Sequence, residues 1–479
     1  MTAGQDSGGG ASVSAERIAF ERMLLARAAA ARQTVGKRPE VIPASFGQER
    51  MWLSDWFDPE ASTESTVFVI GLRGDLDVAA LRGAVNDLTE RHEVLRTVVE
   101  PDGARLVQRI LPRADVALPA VDLPPDAGAE AVEAFAREEL LRKLDLAAEP
   151  PVSWTLLRRA ADEHHLVLRL HHIAADGWSE GVLNRDLSRL YRARLTGRPV
   201  DLPELSLQYA DFATGQRERQ SGARLERRLG HWRRRLADAP ATVPLPFDRA
   251  PGEDSSLESG TSFATVPGTV VAELEKVSAA AGASGFMALF AAFAVMLWQG
   301  SGQQDLVVGS PVAGRELPET EQLIGVFTNT LPMRVRVRPE ESFRQLLLRF
   351  REDALDDFAH GEVPFQRIVD AVRQARVPGR QPLVQVIFQL DNTDFAEPRF
   401  DGVEVSYRQL FAEKSALDMT VSLGRRGLDL VAVWKYRSAL LDESTVRHLQ
   451  NRFLDVLRQG GEQPDAPLAA LRPGDAGRP

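Results

Sequence analysis

The sequence predicts an α/β protein of the α+β sandwich type, built from two halves of similar size. Three observations lead to this prediction. The chain has 479 residues, which exceeds the size at which one hydrophobic core usually stops growing. Patterns typical of strands and helices alternate from residue 41 onwards. A stretch at 244–256 is crowded with Pro, Gly, Asp and Ser, as linkers are, and it separates two series of elements.

An N-terminal extension is predicted at 1–40, before the two halves at 41–248 and 249–479. Residues 1–14 are rich in Gly and Ser, a composition typical of disorder. Residues 15–34 place apolar side chains among Ala, Glu and Arg without Pro or Gly, which predicts a helix.

In the first half, apolar residues repeat at strand and helix periods. Leu166, Leu168 and Leu170 alternate in a clear strand, and the following helix has its apolar residues on one side. The predicted elements are strands at 67–72, 94–99 and 166–170, and helices at 78–91 and from about 180 onwards.

The second half shows a similar order of elements but no sequence repeat of the first. Its most apolar window is too short to cross a bilayer and predicts a buried helix. The predicted strands are at 262–266, 306–308, 331–337, 384–390 and 428–434, and the predicted helices are at 270–281, 286–298, 342–358 and 443–457.

The composition excludes several classes of function. The formal net charge of -10 argues against a nucleic-acid-binding protein, because such proteins neutralise phosphates with clustered Lys and Arg. The Arg-rich stretch 217–235 interleaves Glu and Asp and is interpreted as a solvated helix face, with a patch for an acidic partner as the alternative. Cysteine is absent, which excludes disulfides and cysteine nucleophiles. The N-terminus lacks the features of a signal peptide, so we expect a cytoplasmic enzyme without a membrane span.

The chemistry is concentrated in one segment, His171-His172-Ile173-Ala174-Ala175-Asp176-Gly177, which follows the strand at 166–170. A histidine titrates near neutral pH, so it can take a proton from an amine or a hydroxyl and return it. Asp176 can fix the loop or orient an imidazole. Gly177 permits a tight turn and lets a substrate approach backbone N–H groups.

Two other interpretations of this segment stay open from the residues alone. One is a structural histidine pair, for which His164-His165 is the comparison, since no Asp-Gly follows it. The other is a metal site formed by His171, His172 and Asp176. Adjacent residues on a strand point to opposite faces, and no carboxylate–histidine cluster elsewhere in the sequence completes such a site. We therefore predict acyl transfer and no metal.

Other catalytic signatures are absent from the sequence. There is no Gly-x-Ser-x-Gly nucleophile motif, no phosphate-binding loop and no dinucleotide-binding Gly-x-Gly-x-x-Gly. The chain thus provides neither an electrophile nor a cofactor, and we expect the acyl donor to arrive already activated, as a thioester would.

The chain resembles the condensation domains of nonribosomal peptide synthetases between about residues 43 and 460. Six segments in sequence order match the core motifs of that family well, and a seventh is weak. They are Ser45–Trp52 (SxAQxRLW in the family), Arg91–Thr97 (RHExLRT), the double-histidine segment, Tyr209–Ala213, Ile324–Thr330 (IGxFVNT), His360–Gln366 (HQDxPFE) and the weak 376–383.

The resemblance implies two chloramphenicol-acetyltransferase-like halves arranged as a V, with the active site at their junction. Carrier proteins would reach this site from opposite faces, each presenting a phosphopantetheine arm, and the chain itself would bind no cofactor. His172 would be the general base or the group that positions the acceptor, whereas His171 would serve loop structure. Asp176 would form a structural salt bridge, for which Arg96 is the first candidate and Arg315 the second.

Further site residues follow from the same resemblance. The backbone N–H of Gly177 would help to hold the tetrahedral oxyanion. Trp178, Tyr209 and Asn329 are candidates for the substrate tunnel.

The function that we expect is amide or ester formation between a carrier-bound acyl or aminoacyl thioester and an amine or hydroxyl acceptor. Adenylation and carrier motifs are absent, so we expect a free-standing enzyme of natural-product biosynthesis that meets its carriers in trans. The acceptor is a small molecule or is carrier-tethered, and departures from the family pattern at Gly361, Glu362 and Gln366 favour the small molecule. The alternatives are a coenzyme A-dependent acyltransferase of the same superfamily and a non-catalytic carrier-binding module.

Overall fold

A computed structural model of the chain describes residues 38–57, 64–113, 116–124, 127–252, 256–373, 377–391 and 396–471. The predicted helix at 15–34 lies outside these residues. The helices are α1 (Phe46–Phe57), α2 (Val78–Arg91), α3 (Ala129–Leu141), α4 (Gly177–Thr196), α5 (Tyr209–Arg219), α6 (Gly222–Arg235), α7 (Gly268–Ala280), α8 (Gly285–Ser301), α9 (Phe343–Ala359), α10 (Phe365–Val372) and α11 (Glu443–Glu462). The strands are β1 (Ile42–Pro43), β2 (Ser65–Gly74), β3 (Thr97–Asp102), β4 (Arg105–Ile110), β5 (Ala120–Asp122), β6 (Val152–Ala160), β7 (Glu163–His171), β8 (Ser259–Val266), β9 (Asp305–Val312), β10 (Asn329–Arg336), β11 (Val386–Asp391), β12 (Val403–Phe411), β13 (Met419–Arg426) and β14 (Asp429–Arg437).

A five-stranded sheet in the order β12-β2-β7-β6-β5 forms the core of the first half. Its strand β2 is buried on both faces: Phe68 and Ile70 share a core with α2 and α4, whereas Val67 and Val69 share one with α3. Burial on both faces explains why this strand is a continuous apolar run rather than an alternating one. The double-histidine segment begins at the end of β7, the central strand of this sheet, so its first residues are held in place by strands on both sides.

A six-stranded sheet in the order β10-β9-β11-β13-β14-β8 forms the core of the second half. Helix α8 is buried at every position from 287 to 297, as predicted for this apolar stretch. Its Phe290 and Phe293 pack against Phe388 of β11, with ring centroids 5.7 and 4.8 Å apart. No single helix among the described residues is long and apolar enough to span a membrane; α7 and α8 reach that size only together, with a bend of 107° between them.

Strand β12 belongs to the second half by sequence but completes the sheet of the first. It pairs antiparallel with the edge of β2 over nine residue pairs, from Val403 opposite Gly74 to Phe411 opposite Thr66. The Tyr407 hydroxyl in β12 also donates a hydrogen bond to Glu180 in the first turn of α4, at 2.7 Å. The predicted boundary at residue 249 therefore separates two sequence ranges that share one sheet.

The predicted strand at 94–99 is wrong in its first part. Residues 93–96 form a 3₁₀ turn, in which the Leu95 N–H donates to the His92 carbonyl at 3.0 Å. Strand β3 begins only at Thr97. Val94 and Leu95 are both buried in this turn. A short run of apolar residues is therefore compatible with a buried turn as well as with a strand, and here it forms the turn.

The Arg-rich stretch 217–235 is not one solvated helix face. It is split between α5 and α6, and Gly222 at the start of α6 takes a left-handed φ of 58° that a residue with a side chain rarely adopts. Leu229 and Trp232 of α6 are buried in the core of the second half. The arginines lie around this buried stripe, which the high charge of the stretch conceals in the sequence.

Candidate active site

The double-histidine segment forms the loop between β7 and α4. Strand β7 ends at His171, which pairs with Ser65 of β2. The His172 N–H continues the ladder by one step, donating to the Glu64 carbonyl at 2.7 Å. The loop is thus anchored on a rigid sheet, which is where catalytic side chains are commonly positioned.

Both ring nitrogens of His171 are occupied by the protein. Its Nδ1 accepts the Ile173 N–H at 3.0 Å, so Nε2 carries the proton and donates to Asp55 Oδ2 of α1, also at 3.0 Å. Only 1% of this side chain is exposed. His171 therefore holds the loop against α1 and has no nitrogen left for a substrate.

The His172 ring also has one contact on each nitrogen, but both are longer than those of His171. Its Nδ1 lies 3.3 Å from the Ala175 carbonyl oxygen, which can only accept, so the proton is assigned to Nδ1. Its Nε2 then carries a lone pair and lies 3.3 Å from the Thr66 hydroxyl. This tautomer presents Nε2 as a proton acceptor, as a general base requires.

The surroundings of His172 favour its neutral form. Burial lowers the pKa of His172 below its ordinary value of 6.5, and the electrostatic effects of His171 and Arg50 lower it further. The Glu64 carboxylate acts in the opposite direction and raises this pKa. The ring is therefore neutral, and able to accept a proton, at neutral pH.

This electrostatic balance predicts a pH profile. A general base acts in its neutral form, and the pKa of His172 is lowered. If His172 is the base, kcat/KM for product formation should stay constant down to about pH 6.5, the ordinary histidine pKa, and should fall only below it. The substitution Glu64→Gln removes a charge that raises the pKa, so the acid limb should move to lower pH. The substitution Arg50→Gln removes a charge that lowers the pKa, so the limb should move to higher pH. Shifts in the same direction would contradict this assignment.

Asp176 is a buried hub rather than a reactive carboxylate. Its Oδ1 lies 3.0 Å from Arg315 Nη2 and accepts hydrogen bonds from the Ser179 N–H at 3.0 Å and hydroxyl at 2.7 Å. Its Oδ2 accepts from the Phe327 N–H at 2.9 Å and from the Thr328 N–H at 3.2 Å. With Asp176 5% exposed and Arg315 2% exposed, these contacts occupy both oxygens and join the loop to the 315–328 segment of the second half.

The partner of Asp176 is the second arginine candidate, Arg315, and not the first. Arg96 donates to the Leu111 carbonyl at 2.5 Å and lies 3.9 Å from Glu93 of its own turn. Gly314 explains how Arg315 reaches the loop. It has a φ of 64°, and a Cβ there would lie 2.1 Å from the Phe327 carbonyl oxygen, so only glycine allows this approach.

Gly177 and Trp178 begin α4. The sequence predicted that Gly177 permits a tight turn. Its φ is not left-handed, so the backbone conformation at this position does not require glycine. A Cβ there would meet no atom within 4 Å, which leaves open space beside the first amide of the helix. The Trp178 indole donates to the Glu321 carbonyl at 3.0 Å, so it joins α4 to the second half.

The polar groups of the other two tunnel candidates are used by the protein. The buried Tyr209 hydroxyl lies 2.7 Å from Ser45 Oγ and donates to the Val326 carbonyl at 2.8 Å, and burial raises the pKa of Tyr209. The Asn329 amide clamps the turn after α9: its Nδ2 donates to the carbonyls of Gly361 and Val363, at 2.9 and 2.7 Å. Both residues therefore connect segments of the fold.

A cavity of about 620 Å³ lies beside the Asp176 hub. Arg315, Phe327 and Thr328 line it, as does Asn329, whereas His172, Tyr209 and Trp178 are not among the lining residues. Arg50 lines the same cavity and is close enough to His172 to lower its pKa. The cavity thus lies within electrostatic reach of the candidate base.

Sequence reasoning missed several residues that shape this site. Asp55 and Thr66 contact the two histidines, and Ser179 bridges Asp176 to the Gly325 N–H at 3.0 Å. Only Ser179 carries a sequence signal. Asp-x-x-Ser before an apolar helix is a capping pattern, and the structure has Asp176 as the N-cap with Ser179 at the reciprocal position.

Comparisons with known proteins identify similar chains. The family model described as Condensation domain matches residues 39–473. A linear gramicidin synthase of Brevibacillus parabrevis is 36% identical over 445 residues, which are 91% of this chain but 9% of that protein. The phosphinothricin tripeptide synthetase PhsC of Streptomyces viridochromogenes is 35% identical over 464 residues, which are 95% of this chain and 43% of that protein. The chain therefore spans less than half the length of either relative.

Two solved structures are similar over nearly their full length. The X-domain from teicoplanin biosynthesis, also solved in complex with OxyB, is 29% identical with a TM-score of 0.83, covering 92% of this chain and 100% of that one. SgcC5 from Streptomyces globisporus, solved with a naphthyl ethanediol and sucrose, is 29% identical with a TM-score of 0.70, covering 89% and 100%. The similarities confirm the predicted fold class, with its chloramphenicol-acetyltransferase-like architecture.

Proposed function

Because the chain belongs to the condensation-domain family of nonribosomal peptide synthetases, we propose that it transfers an acyl or aminoacyl group from a carrier-protein thioester to an amine or a hydroxyl. The geometry of His172 carries this proposal. Its Nδ1 is turned to the Ala175 carbonyl, and among the described residues its Nε2 has one long hydrogen-bond contact, to the Thr66 hydroxyl at 3.3 Å.

The proposed reaction proceeds by addition and elimination at the thioester carbonyl. The acceptor nitrogen or oxygen attacks this carbon and forms the new C–N or C–O bond, while its proton passes to His172 Nε2. The tetrahedral intermediate then collapses, the C–S bond breaks, and the proton passes to the departing sulfur of the phosphopantetheine arm. The Gly177 amide, at the positive end of α4 and beside open space, is the group that we assign to the oxyanion.

We propose a small molecule as the acceptor. SgcC5, which this chain covers completely, was solved with an ethanediol bound, and a small hydroxyl compound is thus compatible with this architecture. The cavity of about 620 Å³ has the size of a small-molecule site, and although His172 does not line it, Arg50, which affects the pKa of His172, does. An amine of similar size could be activated by the same base.

The test compares two donors that carry the same acyl group. The chain is incubated with an acyl group on a carrier protein, or with the same acyl coenzyme A ester, and with panels of small amines and alcohols. Product is detected by mass spectrometry. We expect product from the carrier-bound donor at a much higher kcat/KM than from the coenzyme A ester. Equal or better use of the coenzyme A ester would replace this proposal with a coenzyme A-dependent acyltransferase.

A non-catalytic binding module is the second candidate function. It is favoured by the X-domain, since that similar protein was solved in complex with OxyB. This function would leave the lone pair of His172 without a role. It predicts that no donor is consumed in the experiment above while the chain still binds a carrier or another protein.

A further inference from the structure

A second histidine cluster lies away from the double-histidine loop, where α6 packs against the end of α9. His231 of α6, Asp356 of α9 and His360 after α9 each bring one possible ligand atom within 4.8 Å of the others. His231 is separated from the other two by more than 120 residues in sequence, so no spacing motif reveals the cluster. His231 is buried, whereas Asp356 is 64% exposed at its side chain.

The hydrogen bonds of His231 leave one nitrogen facing a carboxylate. Its Nε2 lies 3.1 Å from Oδ1 of the fully buried Asp357, which accepts, so Nε2 carries the proton. Its Nδ1 faces Asp356 Oδ2 at 3.3 Å. A nitrogen and a carboxylate oxygen that face each other at this distance can share a cation between them.

The Asp357–His231 pair resembles the support of a metal ligand. Ligating histidines usually donate their second N–H to a carboxylate or a carbonyl, which fixes the ring. Asp357 fills that role for His231 and is itself held by Arg235 Nε at 3.1 Å. In its present position the His360 Nδ1 lies 2.9 Å from the Asp356 carbonyl oxygen.

We propose that His231, Asp356 and His360 bind a divalent first-row transition ion of the zinc type. Two imidazoles and one carboxylate are the ligand types that such ions favour, and water would complete the coordination. The exposed side chain of Asp356 gives the ion a path from solvent. The two rings stack at 4.0 Å with an angle of 3°. Because an ion binds in the plane of an imidazole, binding of one ion by both rings would require the His360 ring to turn away from this stacked position.

An ion at this site would stabilise the turn after α9, which borders the cavity. The His360 carbonyl accepts a hydrogen bond from the Trp232 indole at 3.3 Å, and the next two residues, Gly361 and Glu362, line the cavity. An ion on His231 and His360 would therefore tie this turn to α6 and stabilise one wall of the cavity.

The test measures Zn²⁺ binding to the untagged full chain after treatment with a chelator. Isothermal titration should give one saturable site, Co²⁺ should give the visible absorption of a tetrahedral complex, and Zn²⁺ should raise the Tm. His360→Ala and Asp356→Asn should each weaken binding by at least about tenfold, since even loss of a supporting partner weakens metal sites by roughly 10- to 100-fold.

His448→Ala is the matched control. His448 is an exposed histidine of α11 whose Nδ1 contacts the carbonyl four residues earlier, at 2.8 Å, as His360 does. This variant should bind Zn²⁺ as the parent chain does. Absence of saturable binding, equal affinity in His360→Ala, or loss of binding in His172→Ala instead would overturn the proposal. His360→Ala removes a half-buried ring, and its unchanged Tm without metal would show that the loss of binding is not a loss of folding.

Discussion

The substitution His172→Ala should reduce product formation from a carrier-bound donor by about 10²- to 10⁴-fold, the usual contribution of a positioned general base. The reason is geometric: among the described residues no other imidazole nitrogen of the loop is free, because His171 uses one nitrogen for Ile173 and the other for Asp55. The measurement is the initial rate of product formation by mass spectrometry, at saturating donor and acceptor.

The control for this variant is His165→Ala. His165 lies on the same strand β7 and is also partly buried, but it is six residues from the loop. It should retain the parental rate. The His172 ring makes no hydrogen bond shorter than 3.3 Å to the described residues, so His172→Ala should keep the parental circular dichroism and Tm. The Tm of His165→Ala is measured alongside it, so that a change in rate can be compared at known stability. An undiminished rate in His172→Ala would exclude the general-base assignment and favour the binding module.

The substitution Arg315→Ala should have the largest effect on stability, about 3–5 kcal/mol, because it leaves the Asp176 carboxylate buried without its cation. Arg315 and Asp176 are 2% and 5% exposed at their side chains, and Arg315 also donates to the Leu323 carbonyl at 2.8 Å. The free energy of the first unfolding transition in urea, followed by far-UV circular dichroism, measures this loss. The rate should fall as well, since Asp176 ends the loop that holds His172.

Arg192→Ala is the matched control for the buried ion pair. Arg192 lies on α4 and forms an ion pair with an aspartate of the second half: its Nε is 2.8 Å from Asp401 Oδ2. These two side chains, however, are 69% and 42% exposed. Exposed pairs contribute roughly 0–1 kcal/mol. A loss in Arg315→Ala no larger than that in Arg192→Ala would show that Asp176 does not depend on the arginine.

The sequence was sufficient to predict about half of the helices and strands and the loop that carries the histidine pair, but β6, β12 and β13 were not predicted. Apolar periodicity and short motifs depend on residues that are close in sequence, so they can be recognised without knowing the fold. The choice between Arg96 and Arg315 was not local, because the salt bridge joins residues 139 positions apart. The positive φ of Gly314 and its contact with Phe327 decide it, and neither is visible in the sequence.

The roles of polar side chains within the motifs were harder to predict from the sequence than the positions of the strands. Tyr209 and Trp178 carry groups suited to a substrate, yet both donate to backbone carbonyls of the second half. Tyr209 also excludes any side chain at Gly325, where a Cβ would lie 2.0 Å from its ring. The motifs around these residues therefore encode packing between distant segments, which a single sequence cannot distinguish from binding.

Strand β12 comes from the second half of the sequence but completes the sheet of the first half. This arrangement limits where the chain can be cut into fragments and how the halves can move relative to each other. A fragment that ends at residue 248 would lack β12 and would expose the whole β2 edge, a long apolar strand of the kind that drives aggregation. The two halves are thus not separable folding units. Separating the two halves would break the nine residue pairs of this ladder, so we expect any relative motion of the halves to be a pivot about β12.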